Sequence, residues 1–117
     1  MKTFSLTIGI GKTAEGIDIP RDNAKEILTM VDAEACKRFG GFTRIDSFGG
    51  WIDDSGNVIT EPGVIYTIGV DIHSERTDAE ADTIVASKAR DFAELARTAF
   101  AQQSVVLTID GNMEFIS

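Results

Sequence analysis

The chain has 117 residues, 43% of them hydrophobic and 26% charged, with a net charge of −8 and a single cysteine, Cys36. That length makes one domain over residues 1–117, whose core can bury roughly two thirds of the unfolded surface, and the balance excludes extended disorder. The acidic excess excludes direct contact with a nucleic-acid backbone, the apolar runs fall short of the ~20 residues of a membrane helix, and a lone thiol excludes both an internal disulfide and a thiol-rich metal site.

The N-terminal segment MKTFSLTIGIGKT alternates instead of forming a continuous apolar block with a small-residue cleavage site, so a cytoplasmic protein is expected. Phe4, Leu6, Ile8 and Ile10 share one face of a first strand, with Ser5, Thr7 and Gly9 on the other. A polar connection, GKTAEGID, leads to Pro20 at a helix start. Ala24, Ile27, Leu28, Val31, Ala35 and Phe39 then form an apolar stripe with Lys25, Glu26, Asp32 and Glu34 elsewhere on the surface, Cys36 reads as a small buried helix residue, and Gly40 ends the helix.

The next strand runs from Phe42 through Ile52, with a bulge or bend expected at Gly49 and Gly50. Asp53 to Asn57 is a turn, and Pro62 delays the central part of the returning strand to Val64, from where it runs to about Ile72. Thr77 and Glu80 form a capping box for a second helix ending near Gln102, with Ala81, Ile84, Val85, Ala89, Phe92, Ala96, Ala99 and Phe100 on its inner face. Val105 to Ile109 makes a short strand, Asp110 and Gly111 turn it, and Met113 to Ile116 forms a small terminal strand.

The order β-α-β-β-α-β with an extra C-terminal strand is α+β, and its natural closed solution is ferredoxin-like: an antiparallel sheet in the order 4-1-3-2 with two helices on one face. A near-repeat, LTIGI at 6–10 and YTIGV at 66–70, fits the internal symmetry of such a fold. The face away from the helices carries Ser5, Thr7, Gly9, Ile65, Thr67, Gly69 and Asp71, and the glycines invite close approach by another group.

Asp46 to Asp82 contains nine acids against Arg76 alone, so the acidity belongs to the hairpin and the segment after it. One hairpin contributes Arg44, Trp51, Glu61 and Tyr66: a cation, two amphipathic rings and an acid suited to contact with a ligand or partner. His73, the only histidine, stands between Asp71 and Glu75 and is added to that candidate set. No phosphate-cradling glycine loop, metal-ligand spacing or nucleophile–His–acid constellation is present, so no cofactor, metal or catalytic residue is assigned.

The spacing of GGFT, Gly50-Trp51, Gly56, Glu61 and Tyr66-Thr67-Ile68 resembles a diffuse group of small bacterial and phage proteins sharing GGxT…GxW…G…E…Y. The resemblance covers the middle third and implies no activity. The expected function is a noncatalytic binding module, acting as a homo-oligomer through its open sheet face and acidic hairpin, on a basic protein partner or a small-molecule ligand. The alternative is a small enzyme or ligand-sequestering protein with a pocket on the open face, bordered by Arg44, Trp51, Glu61 and His73.

Overall fold

The structure is a computed structural model, and it describes residues 2–72 and 77–117. Seven elements follow in order: β1 (Lys2–Gly9), α1 (Arg21–Phe39), β2 (Thr43–Ile52), β3 (Val58–Val70), α2 (Asp78–Ala99), β4 (Val105–Ile109) and β5 (Asn112–Ile116). The chain is α+β, with one antiparallel sheet in the order β2-β3-β1-β4-β5. The extra C-terminal strand expected is β5, which pairs along the outer edge of β4.

Period-two alternation decides the layers. Phe4, Leu6 and Ile8 of β1, Val64, Tyr66, Ile68 and Val70 of β3, and Val105 and Leu107 of β4 are buried on one face. They form a single apolar cluster with Leu28, Val31 and Ala35 of α1 and Val85, Phe92 and Ala96 of α2, so both helices cover the same side. The alanines of α2 let it lie close on β1 and β4. Phe4, Phe39, Phe92 and Tyr66 meet edge to face at centroid distances of 5.3–6.3 Å.

The local signals act as their chemistry requires. Thr77 accepts the Glu80 N–H at 3.2 Å and starts α2. Gly40, at φ 87°, closes α1 with its N–H on the Cys36 carbonyl. Asp110 and Gly111 both take positive φ, the geometry that a two-residue hairpin turn needs.

Several expectations are corrected. Gly49 and Gly50 make no bulge: they pair with Glu61 and Thr60 in an unbroken register from Thr43↔Thr67 to Ile52↔Val58. β3 spans Val58–Val70 and ends short of Ile72. Its central part, paired with β1 as well as β2, begins at Gly63, just after Pro62 as expected. The Pro62 carbonyl accepts the Ile10 N–H on the β1 side, to which the missing donor would also point. Pro62 therefore costs the β2–β3 ladder nothing. Helix α2 stops at Ala99, short of Gln102, where Ala101 turns to φ 51°. Cys36 is exposed, one position past the buried Ala35. Among the described residues no helix is long and apolar enough to cross a membrane.

Candidate functional site

β1 pairs with β3 only as far as Gly9↔Gly63, whereas β2 and β3 continue together to Ile52 and Val58. The hairpin therefore runs past the end of β1 as a two-stranded arm. Strand parity puts Trp51, Ile59 and Glu61 on the open face of that arm, in line with Ser5, Thr7 and Gly9. At its tip, Asp53 Oδ1 accepts the N–H groups of Ser55 and Asn57 at 2.9 Å each, and Gly56 takes φ 84°.

At the foot of the arm the Glu61 side chain crosses Gly9. A Cβ there would lie 2.5 Å from Glu61 Oε1, so only glycine leaves the carboxylate this path. Glu61 Oε2 accepts the backbone N–H of Gly11 at 3.3 Å and of Lys12 at 3.2 Å. These bonds hold the connection between β1 and α1 against the arm. The connection is itself folded, with a Lys12↔Asp18 bridge, a Lys12 Nζ–Asp18 Oδ1 ion pair at 2.9 Å and a Thr13 N–H to Ile17 carbonyl bond at 2.8 Å. The amide of Gln102 also donates to the Lys12 carbonyl, at 2.6 Å.

These parts enclose a cavity of about 620 Å³ at the end of the open sheet face. Lys12, Trp51, Ile59, Glu61, Gln102 and Phe115 are among its walls. The size falls within the range that takes a cofactor-sized molecule, and a few polar groups among apolar and aromatic walls are what orient one.

The helix face carries a different cluster. Arg44 forms a two-pronged ion pair with Asp32, Nε to Oδ1 and Nη2 to Oδ2, both at 3.1 Å. The Tyr66 hydroxyl donates to Asp32 Oδ1 at 2.6 Å. Burial, then the hydrogen bond to Asp32 and its charge, push the Tyr66 phenol pKa well above its ordinary value, against a smaller opposing pull from Arg44. The hydrogen bond to Asp32 likewise raises Arg44, so its charge is secure.

The structure thus divides the candidate set. Trp51 and Glu61 meet at the open-face cavity, Arg44 and Tyr66 lie together on the helix side, and His73 lies outside the described residues. Tyr66 is a core residue, fully buried between Phe42 and Phe92 at centroid distances of 5.6 Å. Sequence reasoning missed Asp32, which it set on the outer surface of α1. Its i+4 spacing from the buried Leu28 was the available signal. It also missed Lys12 and Gln102, which no local pattern marks, since they meet across 90 residues of sequence.

No protein-family model matches the chain, and no curated protein is similar to it in sequence. Solved structures do share its fold. A phage SAM lyase in its apo state superposes with a TM-score of 0.62 at 19% identity, over 98% of this chain and 87% of that one. A phage SAM lyase in complex with S-methyl-5′-thioadenosine gives a TM-score of 0.59 at 15% identity, over 98% of this chain and 88% of that one. The likeness, at these identities, is one of fold. It corrects the expectation of a noncatalytic interaction module: the architecture that spans nearly the whole chain is one used by an enzyme, which favours the alternative of a small enzyme with a pocket on the open face.

Proposed function

We propose that the chain is a lyase acting on S-adenosylmethionine (SAM) in the open-face cavity. The observation that carries this reading is Glu61, a carboxylate fixed over Gly9 and aimed into a cavity of about 620 Å³, in a fold shared with a phage SAM lyase.

The chemistry follows from the substrate. S-methyl-5′-thioadenosine keeps the methyl group and the 5′-carbon on sulfur, so making it from SAM breaks the third bond, from sulfur to Cγ of the aminobutyryl chain. Both electrons of that bond go to sulfur, and the sulfonium becomes a neutral thioether. An oxygen of the substrate's own carboxylate closes on Cγ, forming a five-membered lactone without water or an external base. A cation and an anion are thereby consumed together, so a poorly solvated site favours the reaction.

An anion pressed against the sulfonium would stabilise the ground state more than the transition state, in which that charge is fading. Glu61 is therefore assigned to the α-ammonium of the substrate. Holding the ammonium by a charge-assisted hydrogen bond orients the neighbouring carboxylate for attack in line with the Cγ–S bond. Trp51 and Phe115, both exposed, supply apolar ring surface for the adenosyl group. Arg44 and Tyr66 serve the scaffold.

Incubation of the purified chain with SAM, followed by mass spectrometry, tests the reading. S-methyl-5′-thioadenosine and the lactone should form in equal amounts, and Glu61→Gln should lower kcat by about 100-fold through misplacement of the substrate. SAM recovered intact after incubation with stoichiometric protein would overturn it.

The chain is further proposed to act as a homo-oligomer, because Phe48, Ile52 and Val58 on the helix-side face of the arm are 70–75% exposed and an apolar surface of that kind is normally covered. Light scattering across a wide concentration range should then give a mass above that of one chain. The sheet is read as a ferredoxin-like arrangement extended by β5.

A further inference from the structure

Gln102 is a polar residue only 9% exposed, in the cavity wall. Its Nε2 donates to two backbone carbonyls, Lys12 at 2.6 Å and Phe100 at 3.1 Å. Carbonyl oxygens only accept, so the amide can face them in one orientation alone: nitrogen inward and Oε1 away. The main chain is held as well. The Gln102 N–H reaches the Arg97 carbonyl at 3.0 Å, and Arg97 Nη1 donates to the Gln102 carbonyl at 3.1 Å.

With both amide hydrogens spent, Oε1 is left without a hydrogen-bond partner among the described residues, yet no buried side-chain oxygen or nitrogen is unsatisfied. Oε1 must therefore keep accessible surface, and the cavity is the surface this residue borders. The result is an acceptor fixed at a set point in the wall, with no donor beside it on the same side chain. Such a group pairs with a ligand donor and rejects an atom that can only accept.

Resting on the SAM lyase reading above, we infer that Gln102 Oε1 accepts a hydrogen bond from the exocyclic 6-amino group of the adenine, making Gln102 the residue that selects adenine over 6-oxopurines. SAM has two groups that donate without accepting, the α-ammonium and the adenine amine. The ammonium is better matched by the Glu61 carboxylate, because a charged acceptor binds a cation more strongly than a neutral amide does. The neutral amine is left for the neutral acceptor. The ribose hydroxyls can donate to such an acceptor too, but each also brings lone pairs that call for a donor, and this side chain has none left to give. A purine with oxygen at position 6 would set two acceptors against each other and leave both unpaired, which is how a buried polar site rejects a close analogue.

Calorimetric titration of the full chain with three ligands tests this: S-methyl-5′-thioadenosine, its 6-oxo (inosine) counterpart, and the counterpart with hydrogen in place of the 6-amino group. Wild-type protein should bind the 6-hydrogen ligand about 10-fold more weakly than the parent, and the 6-oxo ligand more weakly still. In Gln102→Met the three affinities should converge. Should that variant fail to fold, having lost its bonds to Lys12 and Phe100, the ligand series on wild-type protein still decides the matter. Affinities within about twofold across the series in wild type, or discrimination that survives in a folded Gln102→Met, would overturn the inference alone. Failure of all three ligands to bind would overturn it together with the proposed function.

Discussion

Two polar tethers tie the β2–β3 hairpin to the rest of the fold, one on each face of the sheet. On the helix side Asp32 receives Arg44 twice and the Tyr66 hydroxyl once, so both of its oxygens are occupied and its partners point inward. On the open side Glu61 Oε2 receives two backbone N–H groups, while Glu61 Oε1 and Gln102 Oε1 have no hydrogen-bond partner among the described residues. Buried polar groups are tolerated where their bonding capacity is matched. The first cluster is complete in itself. The second leaves capacity facing a cavity, and unused capacity is what a ligand can engage.

The contrast is broken most directly by substituting both carboxylates. Glu61→Gln should cut SAM turnover by about 100-fold and shift the unfolding free energy by about 1 kcal/mol or less, since the amide oxygen can still accept from Gly11 and Lys12. Asp32→Ala should do the reverse. It strands Arg44 and the buried Tyr66 hydroxyl, at a cost of about 2–3 kcal/mol in urea unfolding, while KM for SAM stays within about twofold. Loss of turnover in a folded Asp32→Ala protein would erase the division between the two faces.

Gly9→Ala sharpens the open side. The added Cβ meets the flexible end of Glu61 and not backbone, so the fold should survive at a cost of about 1 kcal/mol, with kcat/KM about 10-fold lower as the carboxylate is pushed aside. Tyr66→Phe probes the helix side with the smallest effect, about 1 kcal/mol near neutral pH. It also carries a pH signature. The phenol's pKa is raised in the folded state, so the unfolded chain releases this proton first, and stability should be full below about pH 10 and decline above it. Denaturation curves at rising alkaline pH should show a shallower decline for Tyr66→Phe than for wild type. Equal slopes would mean that the Tyr66 hydroxyl does not carry the effect.

Much of the scaffold was legible because alternation and capping are local. Phe4, Leu6 and Ile8 announced which face of β1 is buried, and Thr77 with Glu80 announced the start of α2. The openness of the other sheet face, and the invitation to close approach at Gly9, could also be read. That Glu61 is the group approaching could not, because it depends on the register of two strands and the reach of one side chain. The glycine pair at 49–50 misled, since its lack of side chains suggested a bulge where the pairing is regular. Lys12 and Gln102 were illegible for a stronger reason: each is an ordinary polar residue in an irregular segment until the fold brings them together.

The β1–α1 connection, held by both Glu61 and Gln102, has a consequence for how the cavity is filled. Its backbone is already ordered by internal bonds before anything enters. A ligand that meets a wall set in advance need not supply the entropy of ordering it, so more of its contact energy survives as affinity. Amide exchange at Gly11 and Lys12 should accordingly be slow in the empty protein and change little when the cavity is occupied.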